Sequence, residues 1–176
     1  MTDKLISTRF LVLSALVLLA AFARFIPHPP NFAPIAAMAL FGGAYFNNKK
    51  LAFIVPFAAL FFSDLVIGLY NGIWVVYLSF ALVVAIGLTL KGRIKLGNVA
   101  LASVTASAAF FVVTNFGVWA SGILYPQTYT GFVACYTAAI PFFQNTLLGD
   151  LFYTGLLFGV FELAKAKLPV LAAVKD

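Results

Sequence analysis

Charge is scarce in this 176-residue sequence. Only 9% of the residues are Asp, Glu, Lys or Arg, where a soluble domain carries about 25%. Hydrophobic residues make up 64%, and the mean hydropathy is +1.07. Such a chain cannot cover a water-facing surface, so a soluble globular class is excluded and an integral membrane protein is expected. Cysteine is reduced to Cys135, which excludes an internal disulfide. Histidine is reduced to His28, and with two aspartates in apolar runs it forms no recognised metal-ligand spacing. HExxH, GxSxG, a Walker loop and a CxxC pair are all missing. No catalytic residue, metal site or cofactor is therefore assigned, and a non-enzyme is expected. The net charge of +6 is scattered between apolar runs, so nucleic acid is not an expected partner.

What is abundant is apolar sequence in long runs. With roughly 20 residues per span, six helices and short loops fill the chain and leave no room for a soluble domain. Residues 1–176 are read as one all-α membrane domain whose lipid contact is the bilayer. The predicted spans are about 10–26, 32–46, 51–70, 73–90, 98–123 and 142–164. The sequence from 131 to 161 is predominantly apolar and too long for one span, so Pro141 is expected to divide it. That leaves a short re-entrant or interfacial piece at 131–140. Ala102, Ala106 and Ala109 form a small-residue stripe, and Gly155 and Gly159 a small-xxx-small pair, both suited to close helix packing.

The basic residues give an orientation. With six spans, Lys4, Arg9, Lys49, Lys50, Lys91, Arg93, Lys95, Lys165, Lys167 and Lys175 share one side, and Arg24 alone falls on the other. The positive-inside rule then puts both termini in the cytoplasm and the protein in the cytoplasmic (inner) membrane, multi-pass. Trp74, Trp119, Tyr70 and Tyr125 fall at the outer helix ends, where an aromatic belt belongs. Lys4, Arg9, an apolar core and Ala21-Phe-Ala23 also fit a cleavable signal peptide. The next apolar run follows directly after Arg24, which favours a retained first helix.

The least typical stretch is 24–34, with Arg24, His28, Asn31 and three of the eight prolines between residues 27 and 30. Proline removes a backbone donor and disfavours helix at the preceding residue, so an irregular elbow is expected there. The same topology gathers Asp64, Asn115, Gln144, Asn145 and Asp150 in the outer half with Arg24, His28 and Asn31. The inner halves are expected to hold little beyond apolar side chains and small hydroxyls. A charge at membrane depth costs about 2.5–3.5 kcal/mol or more, so Arg24 is expected to pair with Asp64 or Asp150. Plainer roles stand beside each of these. The pair would lock the bundle without binding anything, and His28 would cap an exposed turn. Gln144 and Asn145 would cap the helix after Pro141, and Cys135 would be a small apolar packer.

Four stretches carry a resemblance: Arg24-Phe-Ile-Pro-His-Pro-Pro-Asn-Phe-Ala-Pro-Ile35, Ala39-Leu-Phe-Gly-Gly-Ala-Tyr-Phe46, Phe62-Ser-Asp-Leu-Val-Ile-Gly68 and Ile140-Pro-Phe-Phe-Gln-Asn-Thr-Leu-Leu-Gly-Asp150. They resemble a bacterial family of small, uncharacterised transport proteins. These in turn resemble the S-components of energy-coupling-factor vitamin transporters, above all the solitary BtuM-type cobalamin transporters. The resemblance implies a six-helix S-component-like bundle with an outward-opening site for a vitamin-like small molecule, cobalamin or a related corrinoid first. It implies His28 and Asp64 in or near that site, and an energy-coupling transmembrane and ATPase module as partner. Two departures stand out. The cysteine that BtuM-type proteins use on the corrin cobalt is missing from residues 65–82, with Tyr77 near its place. The alanines four apart on helix one, used for docking on the partner, are here Ala15 and Leu19.

Other classes remain open at this point. A different vitamin or a nucleobase-like substrate suits the same fold. An intramembrane metal or hydrolytic enzyme, or a structural protein of the cell envelope, would use the polar cluster differently.

Overall fold

A computed structural model describes residues 7–172 and is all-α over them. Its helices are α1 (Thr8–Ala23), α2 (Ile35–Tyr45), α3 (Lys49–Ile67), α4 (Ile73–Leu88), α5 (Leu96–Ala120) and α6 (Tyr129–Lys167), followed by a 3-10 turn at Pro169–Leu171. Lys4 and Lys175, used above for orientation, lie outside the described residues. Three helices, α3, α5 and α6, are long and apolar enough to cross a membrane, and α1, α2 and α4 are shorter apolar helices.

Several ends fall earlier than the hydrophobic runs do, for local reasons. Pro27 disfavours helix at the residue before it, and α1 stops at Ala23 rather than 26. Gly68 (φ 115°) and Gly122 (φ 68°) turn the chain out of α3 and α5 just past their last helical residues.

α2 is the centre of the bundle. Every residue from Ala36 to Tyr45 is buried, and the helix packs against all five others. Its small side chains permit this. At the crossing with α4, a Cβ on Gly43 would stand 2.3 Å from the Val84 carbonyl oxygen, and one on Gly87 2.4 Å from that of Leu40. Only glycine lets the two backbones approach so closely. At about 1.5 Å per residue this helix is roughly 16 Å long, about half a bilayer core, but being wholly buried it meets protein and not lipid.

The last run departs from expectation. It is one 39-residue helix, α6, with Pro141 inside it and no separate piece at 131–140. Proline removes one backbone hydrogen bond and crowds the carbonyl four residues back, which bends a helix. In apolar surroundings no water takes over the freed carbonyls, so keeping the remaining helical bonds outweighs the break. Pro56 sits inside α3 in the same way. The Gly155 and Gly159 pair is also not an internal packing seam, because both face open space.

Long-range contacts fix an up-and-down order. The end of α1 meets the end of α3 and the start of α4 through Arg24, Asp64 and Tyr77. At the opposite end, Arg9 of α1 meets Tyr45 of α2, which in turn meets Glu162 of α6.

Candidate functional site

The elbow at 24–34 is non-helical, as its prolines require, and its tip is exposed. Its geometry is built by Pro29-Pro30-Asn31-Phe32. The Phe32 amide donates to the Pro29 carbonyl at 3.0 Å, and Asn31 takes the left-handed φ of 65°. Proline second and asparagine third at positive φ is the residue pattern of a type II turn. Asn145 of α6 donates to the Pro30 carbonyl at 3.0 Å and ties this turn to the bundle.

Beneath the elbow lies a cavity of about 500 Å³, within the roughly 300–1,000 Å³ range of small-molecule sites. Arg24, His28, Asn31 and Ala33 of the elbow form one side. Phe110, Phe111, Thr114 and Asn115 come from α5, and Phe142, Phe143, Thr146 and Asp150 from α6. The α6 contribution, which also includes Ala139, runs 139, 142, 143, 146 and 150, a single face of a continuous helix. The cavity is thus walled by aromatic rings with a few polar groups among them.

The pairing expected of Arg24 is made with Asp64. Its Nη2 donates to Oδ1 at 2.6 Å, and Nη1 donates to the Ser63 hydroxyl and to the Leu60 carbonyl at 3.4 Å. The two side chains are 10% and 3% exposed. Tyr77 of α4 donates to the other carboxylate oxygen at 2.9 Å. Asp64 therefore has a partner on each oxygen, and the cluster is internally satisfied.

Asp150 is different. It is 2% exposed, lies on the cavity wall, and takes one hydrogen bond, from Ser107 at 2.6 Å. Among the described residues no cation lies within ion-pair distance of it.

The nine residues singled out from sequence thus separate into three groups. Arg24, His28, Asn31, Asn115 and Asp150 line the cavity. Asp64 and Tyr77 stand behind Arg24 without lining the cavity: Asp64 holds Arg24, and Tyr77 holds Asp64. Asn145 acts on the elbow backbone, and Gln144 is exposed and off the lining face. Continuity of α6 through Pro141 is the reason. At about 100° per residue, a helix that aims 139, 143 and 146 into the cavity aims 144 away from it. Neither residue caps a helix start, because the helix starts at Tyr129.

Other features were not anticipated. Ser107 and the four lining phenylalanines are not among the residues singled out from sequence, although 107, 110, 111 and 114 share one helical face with Asn115 at its edge. The opposite end is not bare either. Arg9 donates to the backbone carbonyls of Leu171 and Tyr45, the latter at 2.9 Å, and its guanidinium lies 5.2 Å from the centre of the Phe161 ring. The Tyr45 hydroxyl donates to Glu162 at 2.7 Å, and Lys165 pairs with the same carboxylate. Glu162, a lone acid in an apolar run, was a signal that hydropathy averaging hides.

Cys135 is buried against α5, its thiol 3.5 Å from the Asn115 carbonyl, and does not line the cavity. Among the described residues no three His, Cys, Asp or Glu side chains converge as a metal site requires.

Neither curated proteins nor solved structures give a match to this chain. One family model matches residues 4–171, nearly the whole sequence, and the chain therefore belongs to the family of unknown function DUF6580.

Proposed function

We propose that this chain is a six-span protein of the cytoplasmic membrane that binds a vitamin-sized small molecule in the elbow-end cavity for uptake. The observation that carries the reading is the cavity itself. A pocket of about 500 Å³ with aromatic walls and a few converging polar groups has the make-up of a ligand site. Its elbow residues His28 and Asn31 are exposed, while the Arg9, Tyr45, Phe161 and Glu162 cluster ties the helices together at the opposite end of the bundle. That polarity suits a binding protein loaded from one side. The basic residues support the orientation: Lys91 donates to the Asn47 carbonyl at 3.1 Å, beside Lys49 and Lys50 and away from the elbow. Burial and the neighbouring Lys49 hold the Lys91 ammonium below its ordinary value, as expected where like charges crowd. With that end cytoplasmic, both termini are cytoplasmic and the elbow faces outward.

The resemblance to BtuM-type proteins favours a corrinoid, but the cavity favours a smaller ring compound. A corrinoid is several times larger than vitamins such as riboflavin or thiamine and would seat only one edge here. The one thiol, on Cys135, is packed away from the cavity. Coupling to a transmembrane and ATPase module remains part of the proposal. Its docking face would be the exposed side of α1, where Ala15 is exposed and Leu19 is 64% exposed.

Two measurements test this. Single cysteines placed at His28 and at Lys91 are treated in intact cells with a membrane-impermeant maleimide; His28→Cys is expected to label and Lys91→Cys not. Purified protein in proteoliposomes is then offered labelled riboflavin, thiamine, biotin, pantothenate and cobalamin. Saturable retention of one of them, weakened by Asn115→Ala or Phe111→Ala, is expected. Reversed labelling removes the outward-facing site, and retention of none of the five removes the uptake reading.

A further inference from the structure

Three sets of ionisable groups bear on the cavity. Arg24 is neutralised by Asp64 at 2.6 Å, and His28 stands exposed at the mouth. Asp150 is the remaining one. Its carboxyl is 2% exposed yet on the cavity wall, with Oδ2 bonded to Ser107 and Oδ1 bonded to nothing among the described residues. Oδ1 is also not sealed in the packing, since the only buried side-chain polar atom left without a partner there is the Ser14 hydroxyl. The other hydrogen bonds on this seam supply no cation: the Ser107 hydroxyl is also 3.0 Å from the Ser103 carbonyl, and the Ser103 hydroxyl is 3.4 Å from that of Thr154. An ionised carboxylate at this depth without a counter-charge costs several kcal/mol, and such groups within membrane helices mark ligand or ion paths.

The walls near it are equally selective. Phe110, Phe111, Phe142 and Phe143 line the same cavity, and ring faces attract cations as well as stacking on flat ligands.

We infer that Asp150 is the counter-charge for the ligand, and that the ligand is a flat ring compound carrying a cationic nitrogen group. This inference rests on the binding role proposed above and names the substrate class of that site. The cation replaces the missing partner at Oδ1, Ser107 keeps Oδ2 in place, and the rings enclose the planar body. Arg24 does not pair with Asp150: its one ion pair is with Asp64, and Nη1 is turned to Ser63 and the Leu60 carbonyl. Anionic vitamins are disfavoured by the same carboxylate, which gives the site selectivity as well as affinity.

The test uses wild-type and Asp150→Asn protein in detergent, followed by thermal unfolding with and without four probes. Thiamine and benzamidine carry a cationic group on a flat ring; riboflavin is neutral and pantothenate anionic. The cationic probes are expected to stabilise wild type, with at least tenfold weaker binding to Asp150→Asn. Ligand-free Asp150→Asn is expected to unfold at the same or a higher temperature than wild type, because an uncompensated buried charge has been removed. If riboflavin or pantothenate binds both proteins equally and the cationic probes bind neither, binding stands and the cationic class falls. If Asp150→Asn unfolds well below wild type and cationic binding is unchanged, the carboxyl is structural and the inference falls. If no probe of any charge binds, the binding role falls and takes this inference with it. Ser107→Ala provides a second variant: it is expected to weaken cationic binding severalfold while the protein stays folded.

Discussion

Arg9 opens α1 and Arg24 follows its last turn, 15 residues or about 22 Å further along the axis. Each is partly buried, and each holds its end of the bundle together, but with different chemistry. Arg9 donates to two backbone carbonyls. One belongs to Tyr45, the last residue of α2, whose carbonyl has no partner inside its own helix. A cation there also opposes the negative end of the α2 dipole. Arg24 instead holds a carboxylate, Asp64, supported by Tyr77. The first arrangement closes backbone against ring and needs no acid on the guanidinium. The second is an ion pair beside an open cavity. Cancelling Arg24 with Asp64 leaves Asp150 as the acid on the cavity wall; under the proposed function the elbow end would set selectivity and the Arg9 end would hold the helices together.

The largest effect should come from splitting the ion pair. Asp64→Asn leaves Arg24 buried without a counter-charge and is expected to destabilise by about 3–5 kcal/mol in thermal or denaturant unfolding in detergent. The double variant Arg24→Met with Asp64→Leu should recover most of that loss, because removing both charges also removes their desolvation. A double variant as unstable as Asp64→Asn alone would mean that the pair does more than balance charge.

Arg9→Met should cost somewhat less, about 2–3 kcal/mol, from the lost charged hydrogen bonds and the contact with Phe161. Ligand affinity in the cavity should not change. An altered affinity would show that the two ends are coupled. Combining Arg9→Met with Asp64→Asn gives the same answer in stability, since independent sites add within about 0.5 kcal/mol.

Tyr77→Phe removes one hydrogen bond to a charged group and should cost about 1.5 kcal/mol, with ligand affinity kept. Loss of affinity at unchanged stability would place the hydroxyl against the ligand after all. Gln144→Ala should be the quietest, within about 0.5 kcal/mol in stability and silent in binding. A clear effect on either would mean that α6 is not continuous through Pro141.

Much of the site was legible from residue order. Proline spacing located the elbow, and the out-of-place charge of Arg24 predicted a carboxylate partner. Which carboxylate was not legible, because Asp64 and Asp150 are equivalent as composition. The end of α3 lies beside Arg24, whereas Asp150 lies in α6 against Ser107 of α5. Gln144 and Asn145 were misplaced by the helix break assigned to Pro141. That error has a physical source, since proline's local rule is a loss of one hydrogen bond, and whether this ends a helix depends on what else surrounds it. Ser107 was hidden because a serine in an alanine-rich helix looks the same whether it packs or bonds an acid.

By itself the sequence determined that the chain builds apolar helices, where most of them turn, and which few residues carry charge. These follow from local chemistry: hydropathy, proline and glycine backbone limits, and the scarcity of ionisable groups. Only the tertiary structure decided that Arg24 takes Asp64 and that Asp150, on the cavity wall, has no ion-pair partner among the described residues. It also decided that Gly43 and Gly87 bring α2 against α4, and that α6 runs unbroken with one face on the cavity. Those outcomes depend on distances between side chains far apart in the chain, and no local rule contains them.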